Sequence, residues 1–276
     1  MSNSAITTET FEIDNAVLVA YTAKTDDYTA LVSDSVIELA ATTTANKTFP
    51  LYSAGDKPGG ILSFINNSDY RLTIDANGSE TINGALTITL GGNAGTLSLV
   101  SDGTNWNILG QSEVLLYDAD ISAVSNIDIN NIATSLFKKY KLVAQLVPSV
   151  DASINIRLSN DNGATFRTGA TDYLYTIFSA SGATFTASPS LTDSGVLHVN
   201  AESTSNSASI TCDIVGAGSS SYRTTVFHSA FGVRNTGDNN FVVGAVRVQA
   251  VEVNNAIRLL SSAGTLTGHV SLWGVL

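Results

Sequence analysis

Along most of this chain apolar and polar residues alternate in short segments, which is the period of a β-strand, where successive side chains point to opposite faces. Val17–Tyr21, Tyr70–Ile74, Ala85–Leu90 and Thr96–Val100 all follow it. A sustained spacing of three to four, the mark of an amphipathic helix, is hard to find. Between the segments stand Asp75–Gly78, Asn83–Gly84, Gly91–Asn93 and Ser101–Thr104, residues that accept the positive φ of tight hairpin turns. The pattern predicts a hairpin-rich, meander-like β module over residues 17–112.

A second series starts at Glu113–Tyr117 and Ser125–Ile129 and continues with the longer Tyr140–Val147. Further strands are predicted at Ser153–Leu158, Tyr173–Phe178, Val196–Val199, Ser209–Val215, Tyr222–Phe231, Phe241–Val253, Ile257–Ser261 and His269–Val275. Strands of this number, with some long connections, predict a jelly-roll-like β-sandwich over residues 113–276. Residues 1–16 are polar and without pattern, and read as an attachment arm that orders against a partner. Nothing repeats at the period of a solenoid or propeller, and the crossover helices of a parallel α/β fold are missing. The fold class is therefore all-β.

Charged residues make up only 13% of the chain while 43% is hydrophobic, so the surface is mostly Ser, Thr, Asn and Gly, which suit strand faces and turns. The formal net charge of −11 repels phosphate backbones, and nucleic acid is not an expected partner. The N-terminal residues lack a basic start with an apolar run, and no apolar stretch approaches the ~20 residues that span a bilayer. The expectation is assembly in the cytoplasm of the producing cell, without membrane insertion. Cys212, the one cysteine, lies in an alternating segment and reads as a packed thiol.

Catalytic chemistry needs a nucleophile with its base, paired carboxylates or a metal cluster. His198, His228 and His269 each sit alone in a predicted strand, with no second ligand at metal spacing. Ser159–Phe166 matches the Asp-box pattern, S-x-D-x-G-x-T-F/W. There Asp161 is expected to hold a hairpin turn, Gly163 to supply the unusual φ, and Phe166 to plug the hairpin into the core. A calcium loop on Asp161 and Asn162 would lack the spacing and terminal Glu of an EF-hand. Gly59-Gly60 and Gly91-Gly92 precede no helix and read as turns rather than phosphate cradles. Trp106, Trp273, Tyr173 and Tyr175 could stack on sugars, but their alternate spacing favours core positions. No catalytic residue, metal ligand or cofactor is assigned.

Two stretches carry a family resemblance. Asp27–Val32, Ile74–Ile82 and Leu99–Trp106 resemble a β module of tail-fibre and other virion proteins of tailed bacteriophages. Leu116–Ser122, Arg157–Phe166, Thr168–Tyr173 and Gly268–Gly274 resemble a C-terminal domain of phage and prophage structural proteins. The resemblance implies a non-enzymatic virion protein: a fibre, spike or tail-tip component that presents its sandwich to the host surface. Capsid decoration or a head fibre is the alternative, and a glycan-cleaving tailspike ranks third. Its implied partners are copies of itself, with a trimer favoured, other virion proteins through the arm, and a host-surface glycan.

Overall fold

A computed structural model describes residues 19–92, 95–110, 113–132, 136–181, 184–203, 208–233 and 237–276. The expected arm over residues 1–16 lies outside them. Apart from one short 3-10 turn at Ala54–Asp56, the regular structure among the described residues is β-strand, and the chain is all-β. No helix there is long and apolar enough to cross a membrane.

The first module holds β1 (Tyr21–Lys24), β2 (Val36–Leu39), β3 (Lys47–Pro50), β4 (Ile61–Asn66), β5 (Leu72–Asp75), β6 (Thr87–Leu90), β7 (Gly95–Ser101) and β8 (Trp106–Ile108). They form two sheets, ordered β1-β2-β4-β7-β8 and β3-β5-β6. The connections are not those of a meander. β1, β2 and β4 run parallel, as do β3 and β5, because the chain passes from one sheet to the other and back. One such coil carries Val36 to its partner Ser63, and the next carries Lys47 to Leu72. Only β4–β7, β7–β8 and β5–β6 pair antiparallel. Alternation reports which face is buried but not which strand is the neighbour, so pattern alone favoured the simpler meander. The strand expected at Val17–Tyr21 begins instead at Tyr21, with residues 17 and 18 outside the described part.

Ile37, Leu39, Phe49, Leu62, Phe64, Leu72, Ile74, Ile88, Leu97 and Leu99 close the space between these sheets. Trp106 is completely buried among them and meets the Tyr52 ring edge-on at 5.1 Å.

The second part contains β9 (Glu113–Val124), β10 (Asn126–Ile129), β11 (Lys139–Pro148), β12 (Ala152–Ser159), β13 (Tyr173–Ser181), β14 (Thr184–Thr192), β15 (Gly195–Ala201), β16 (Ala208–Val215), β17 (Thr225–Val233), β18 (Asn239–Val248), β19 (Ala256–Ser261) and β20 (Leu266–Val275). Every pairing is antiparallel. A four-stranded sheet, β10-β19-β12-β15, lies against an eight-stranded one, β14-β13-β18-β17-β16-β11-β20-β9. A jelly roll divides its strands between two sheets through Greek keys; here the division is four against eight.

The inner face of the large sheet presents Leu142, Leu146, Ile210, Cys212, Val226, Val242, Val246 and Leu272. Opposite them are Ile127, Ile154, Ile156, Leu197, Ile257 and Leu259. Cys212 is fully buried, and that burial pushes its thiol up, away from the reactive thiolate. β14 was not predicted, since Pro189 and its Ser and Thr neighbours argue against a strand. It is an edge strand, where proline's missing N–H is tolerated.

The buried apolar side chains of both parts form one continuous cluster. They meet at Gly91, whose N–H donates to the Leu115 carbonyl at 2.8 Å. A Cβ at Gly91 would lie 2.8 Å from the Tyr117 backbone nitrogen, so this glycine serves close approach rather than the expected free turn. Asn66 braces the same corner from a fully buried position. Its amide donates to the carbonyls of Tyr70, Leu90 and Gly91, and its oxygen accepts from Ser68.

Emptying the centre of the first module will be costly. Trp106→Ala is expected to lower stability by about 3–5 kcal/mol in denaturant unfolding.

Candidate functional site

A cleft of about 830 Å³ lies between the two parts. Its floor is the outward face of the sheet β3-β5-β6, where burial of Leu72, Ile74, Ile88 and Leu90 turns Thr73, Thr87 and Thr89 outward. Its far wall consists of loops of the sandwich, with Asn131, Ile132, Asn162 and Asn255. Arg71 and Asn46 stand at one end. Arg71 reaches across, its Nη1 donating to the Asn130 carbonyl at 2.7 Å and its guanidinium lying 5.5 Å from the Tyr117 ring centre. Desolvation lowers the Arg71 pKa from its usual value.

The Asp-box loop builds part of that wall. Ser159 Oγ donates to Asp161 Oδ1 at 2.6 Å and accepts from the N–H groups of Asp161 and Gly163. Thr165 donates to Asp161 through both its N–H and its hydroxyl. Hydrogen bonds from Ser159 and Thr165 hold the Asp161 carboxyl down at about 2. Asn162 and Gly163 take φ of 62° and 85°, and a Cβ on Gly163 would strike the Asn130 side chain.

Two features depart from expectation. The loop is no hairpin, because it leads from β12 in the small sheet to β13 in the large one. Phe166, too, is only half buried; it lies under the Arg258 guanidinium, 4.1 Å from ring centre to Cζ, instead of plugging the core. Arg258 pairs with Asp128 through two bonds of 2.6 Å, and Arg167 pairs with Glu252. Asn162 exchanges bonds with Asn131 and donates its N–H to Asn255 Oδ1. Both oxygens of Asp161 are thus engaged in the turn and the Asn162 side chain faces Asn131, an arrangement that fixes the loop's shape.

The three histidines fall in different surroundings. His198 and His228 are buried in the sandwich. His228 has no hydrogen-bond partner at either ring nitrogen, and a Cβ on Gly244, its cross-strand partner, would meet its ring at 2.9 Å. Polar strand residues usually face water or a backbone group; this one does neither.

His269 is not isolated in space. It stands opposite Asp120, and Ser271 opposite Asp118, on the outer face of β9 and β20. Its Nδ1 lies 2.9 Å from Asp120 Oδ1, and its Nε2 lies 3.0 Å from Asp118 Oδ1 and 3.1 Å from Ser271 Oγ. The hydrogen bond to Asp120, then the charge of Asp118 and the hydrogen bond to it, raise its pKa. No sequence spacing links residues so far apart; only the β9–β20 pairing does. Ser, His and Asp meet here, and Ser271 Oγ donates to Asp118.

Of the aromatics considered for stacking, Trp106 and Tyr173 are fully buried, Tyr175 packs on the core and Trp273 lies half exposed on the outer face of β20. A feature the pattern did not single out is the outer face of β13, β17 and β18. Phe231 opposes Phe241, Phe178 opposes Val243, and Phe227 lies one row on, each of these rings about half exposed. The paired alternation of β17 was legible, but a large aromatic on the polar register is visible only once the buried register is known.

No family model matches this chain, and no curated protein matches it.

Asp161→Ala is expected to lower the melting temperature by a few degrees, since it strands the Thr165 N–H and the Ser159 hydroxyl; calorimetry on the full chain checks this. A second expectation concerns pH. Burial holds His228 down at about 4, so the folded protein keeps it neutral while the unfolded chain takes a proton near 6.5. Stability is therefore complete above pH 6.5 on this account and falls as pH drops toward 4, by about 3 kcal/mol. His269 has the opposite sign: its raised pKa contributes stability below 6.5 that is lost as pH rises through the folded value. Unfolding titrations should show His228→Gln flattening the acid limb and His269→Gln the limb above pH 6.5.

Proposed function

We propose that this protein is a non-enzymatic structural component of a tailed-bacteriophage particle, of fibre, spike or tail-tip type, that presents its sandwich for host-surface attachment. The observation that carries the reading is the aromatic face of the large sheet. Phe178, Phe227, Phe231 and Phe241 form a grouped apolar surface of the kind that marks interaction sites rather than an ordinary scatter of exposed residues. The resemblance of residues 27–110 and 115–276 to phage virion modules supplies the particle. The chemistry agrees with a binding role: Ser271 Oγ is committed to Asp118, and Cys212 is sealed in the core.

On this reading the chain is a homo-oligomer, with a trimer favoured, and the aromatic face is the surface its copies share. The large sheet ends in β14, which carries Pro189, and in β9, which carries Asp118 and Asp120 and a register shift. These are devices that protect an edge from pairing. Phe241–Val243 belongs to β18, an interior strand, so its surface is a face and not an edge.

Light scattering should give three times the 28.8 kDa of one chain. Phe231→Asp combined with Phe241→Ser should dissociate it. A monodisperse wild-type monomer would refute the oligomer. Gold labelling of particles separates the locations: signal at the tail tip supports attachment, whereas signal over the shell points to decoration. Release of reducing ends from host polysaccharide, abolished by one carboxylate substitution, would overturn the non-enzymatic reading.

A further inference from the structure

We propose that the cleft between the two parts binds an acidic saccharide, with Arg71 receiving the sugar carboxylate and the cleft's threonines and asparagines receiving its hydroxyls. This deepens the attachment reading by naming a ligand class, and it rests on that reading only for where the ligand comes from.

The argument begins with Arg71. In a chain of net charge −11, carboxylates are plentiful, and Arg157, Arg167 and Arg258 each hold one. Arg71 is drawn out of solvent as well, yet among the described residues no carboxylate lies within ion-pair distance of it. A guanidinium has five N–H donors in a planar fork. Holding the two parts together takes one of them, the bond to the Asn130 carbonyl. None of its other nitrogens is a sealed, unsatisfied atom, and Arg71 is part of the cleft lining. The Tyr117 ring beneath keeps the fork in place. A partly desolvated, oriented guanidinium is the usual receptor for a carboxylate, bound through paired bonds.

The rest of the cleft decides what carries that carboxylate. Thr73, Thr87 and Thr89 offer hydroxyls from rigid strands, and Asn131 and Asn255 offer amide N–H groups on loops tied together through Asn162. These are neutral donors and acceptors, matched to hydroxyl groups. Among the described residues Arg71 is the single charged side chain of the lining, so the site suits one anion set among many hydroxyls rather than a polyphosphate. Arg71 also lines a smaller recess, where the carboxylates of Asp69 and Asp118 disfavour an anion. At about 830 Å³ the cleft is within the range of small-ligand sites and holds more than a single sugar ring.

The test is titration of the full chain with trigalacturonate, followed by calorimetry and by amide shifts in NMR, with a neutral trisaccharide, maltotriose, and sodium sulfate as comparisons. The expected result is saturable binding of trigalacturonate at least tenfold tighter than maltotriose or sulfate. Arg71→Gln should weaken it tenfold or more, and Arg71→Lys should recover only part. Because Arg71 also touches Asn130, Thr87→Trp serves as a second variant. It fills the cleft from an exposed strand position and should abolish binding while leaving the melting temperature unchanged. Three results would overturn the proposal: no saturable binding of trigalacturonate, equal binding by Arg71→Gln or Thr87→Trp, or sulfate binding as tightly, which would make this a simple anion site. The gold-labelling result is separate, so a cleft that binds sugar on a protein absent from the tail tip would count against the attachment reading alone.

Discussion

At Gly91 the backbone of the first module comes so close to β9 that no side chain fits between them, and the geometry of the whole molecule follows from that approach. The Gly91 N–H bonds the Leu115 carbonyl, and Asn66, buried beside it, ties the ends of β4 and β6 to the same corner. With that corner fixed, the outward face of β3-β5-β6 is held opposite the asparagine-bearing loops of the sandwich. Arg71 spans what remains between them. A larger residue at position 91 would move these surfaces apart before it disturbed either core.

The two faces of the large sheet carry different duties. Its inner face is mostly apolar, with His228 set among the aliphatic side chains. Its outer face divides along the strand order, with phenylalanines over β13, β17 and β18 and charged or polar groups toward β11, β20 and β9, where Lys141, His269, Asp118 and Asp120 stand. Extending one sheet to eight strands against a partner of four creates outer surface that the core does not require. The unequal division is therefore what gives the sandwich room for both kinds of surface.

Much of this could be read from the amino-acid order, for a definite physical reason. Alternation records burial, so the strands of the sandwich, the all-β class and the buried positions of Trp106, Tyr173 and Cys212 were legible. Pairing is a different kind of information. The parallel coils of the first module, the meeting of His269 with Asp118 and Asp120, and the cleft around Arg71 all depend on which strands become neighbours, and alternation is silent about that. β14 was hidden for a third reason: Pro189 is a sign against strands in general, and only its edge position makes it compatible with one. The Asp box lies between these cases, since the roles of Asp161 and Gly163 follow from the motif while the company of Phe166 does not.

The pairing of β9 with β20 also sets an order of events in time. β9 is the first strand of the sandwich, and its only ladder partner in the large sheet, β20, is encoded some 140 residues later, Val124 pairing with Leu266. A ribosome adding about 5–20 residues per second needs on the order of ten seconds to cover that interval. Throughout it β9 is a strand without a sheet, although its Leu115 carbonyl already belongs to the contact at Gly91. The seam between the two parts can form early, but the sheet that carries it closes only when the far end of the sandwich arrives. A chain stopped short of residue 266 would keep its first module and most of its sandwich strands while the two remained without the strand that joins them.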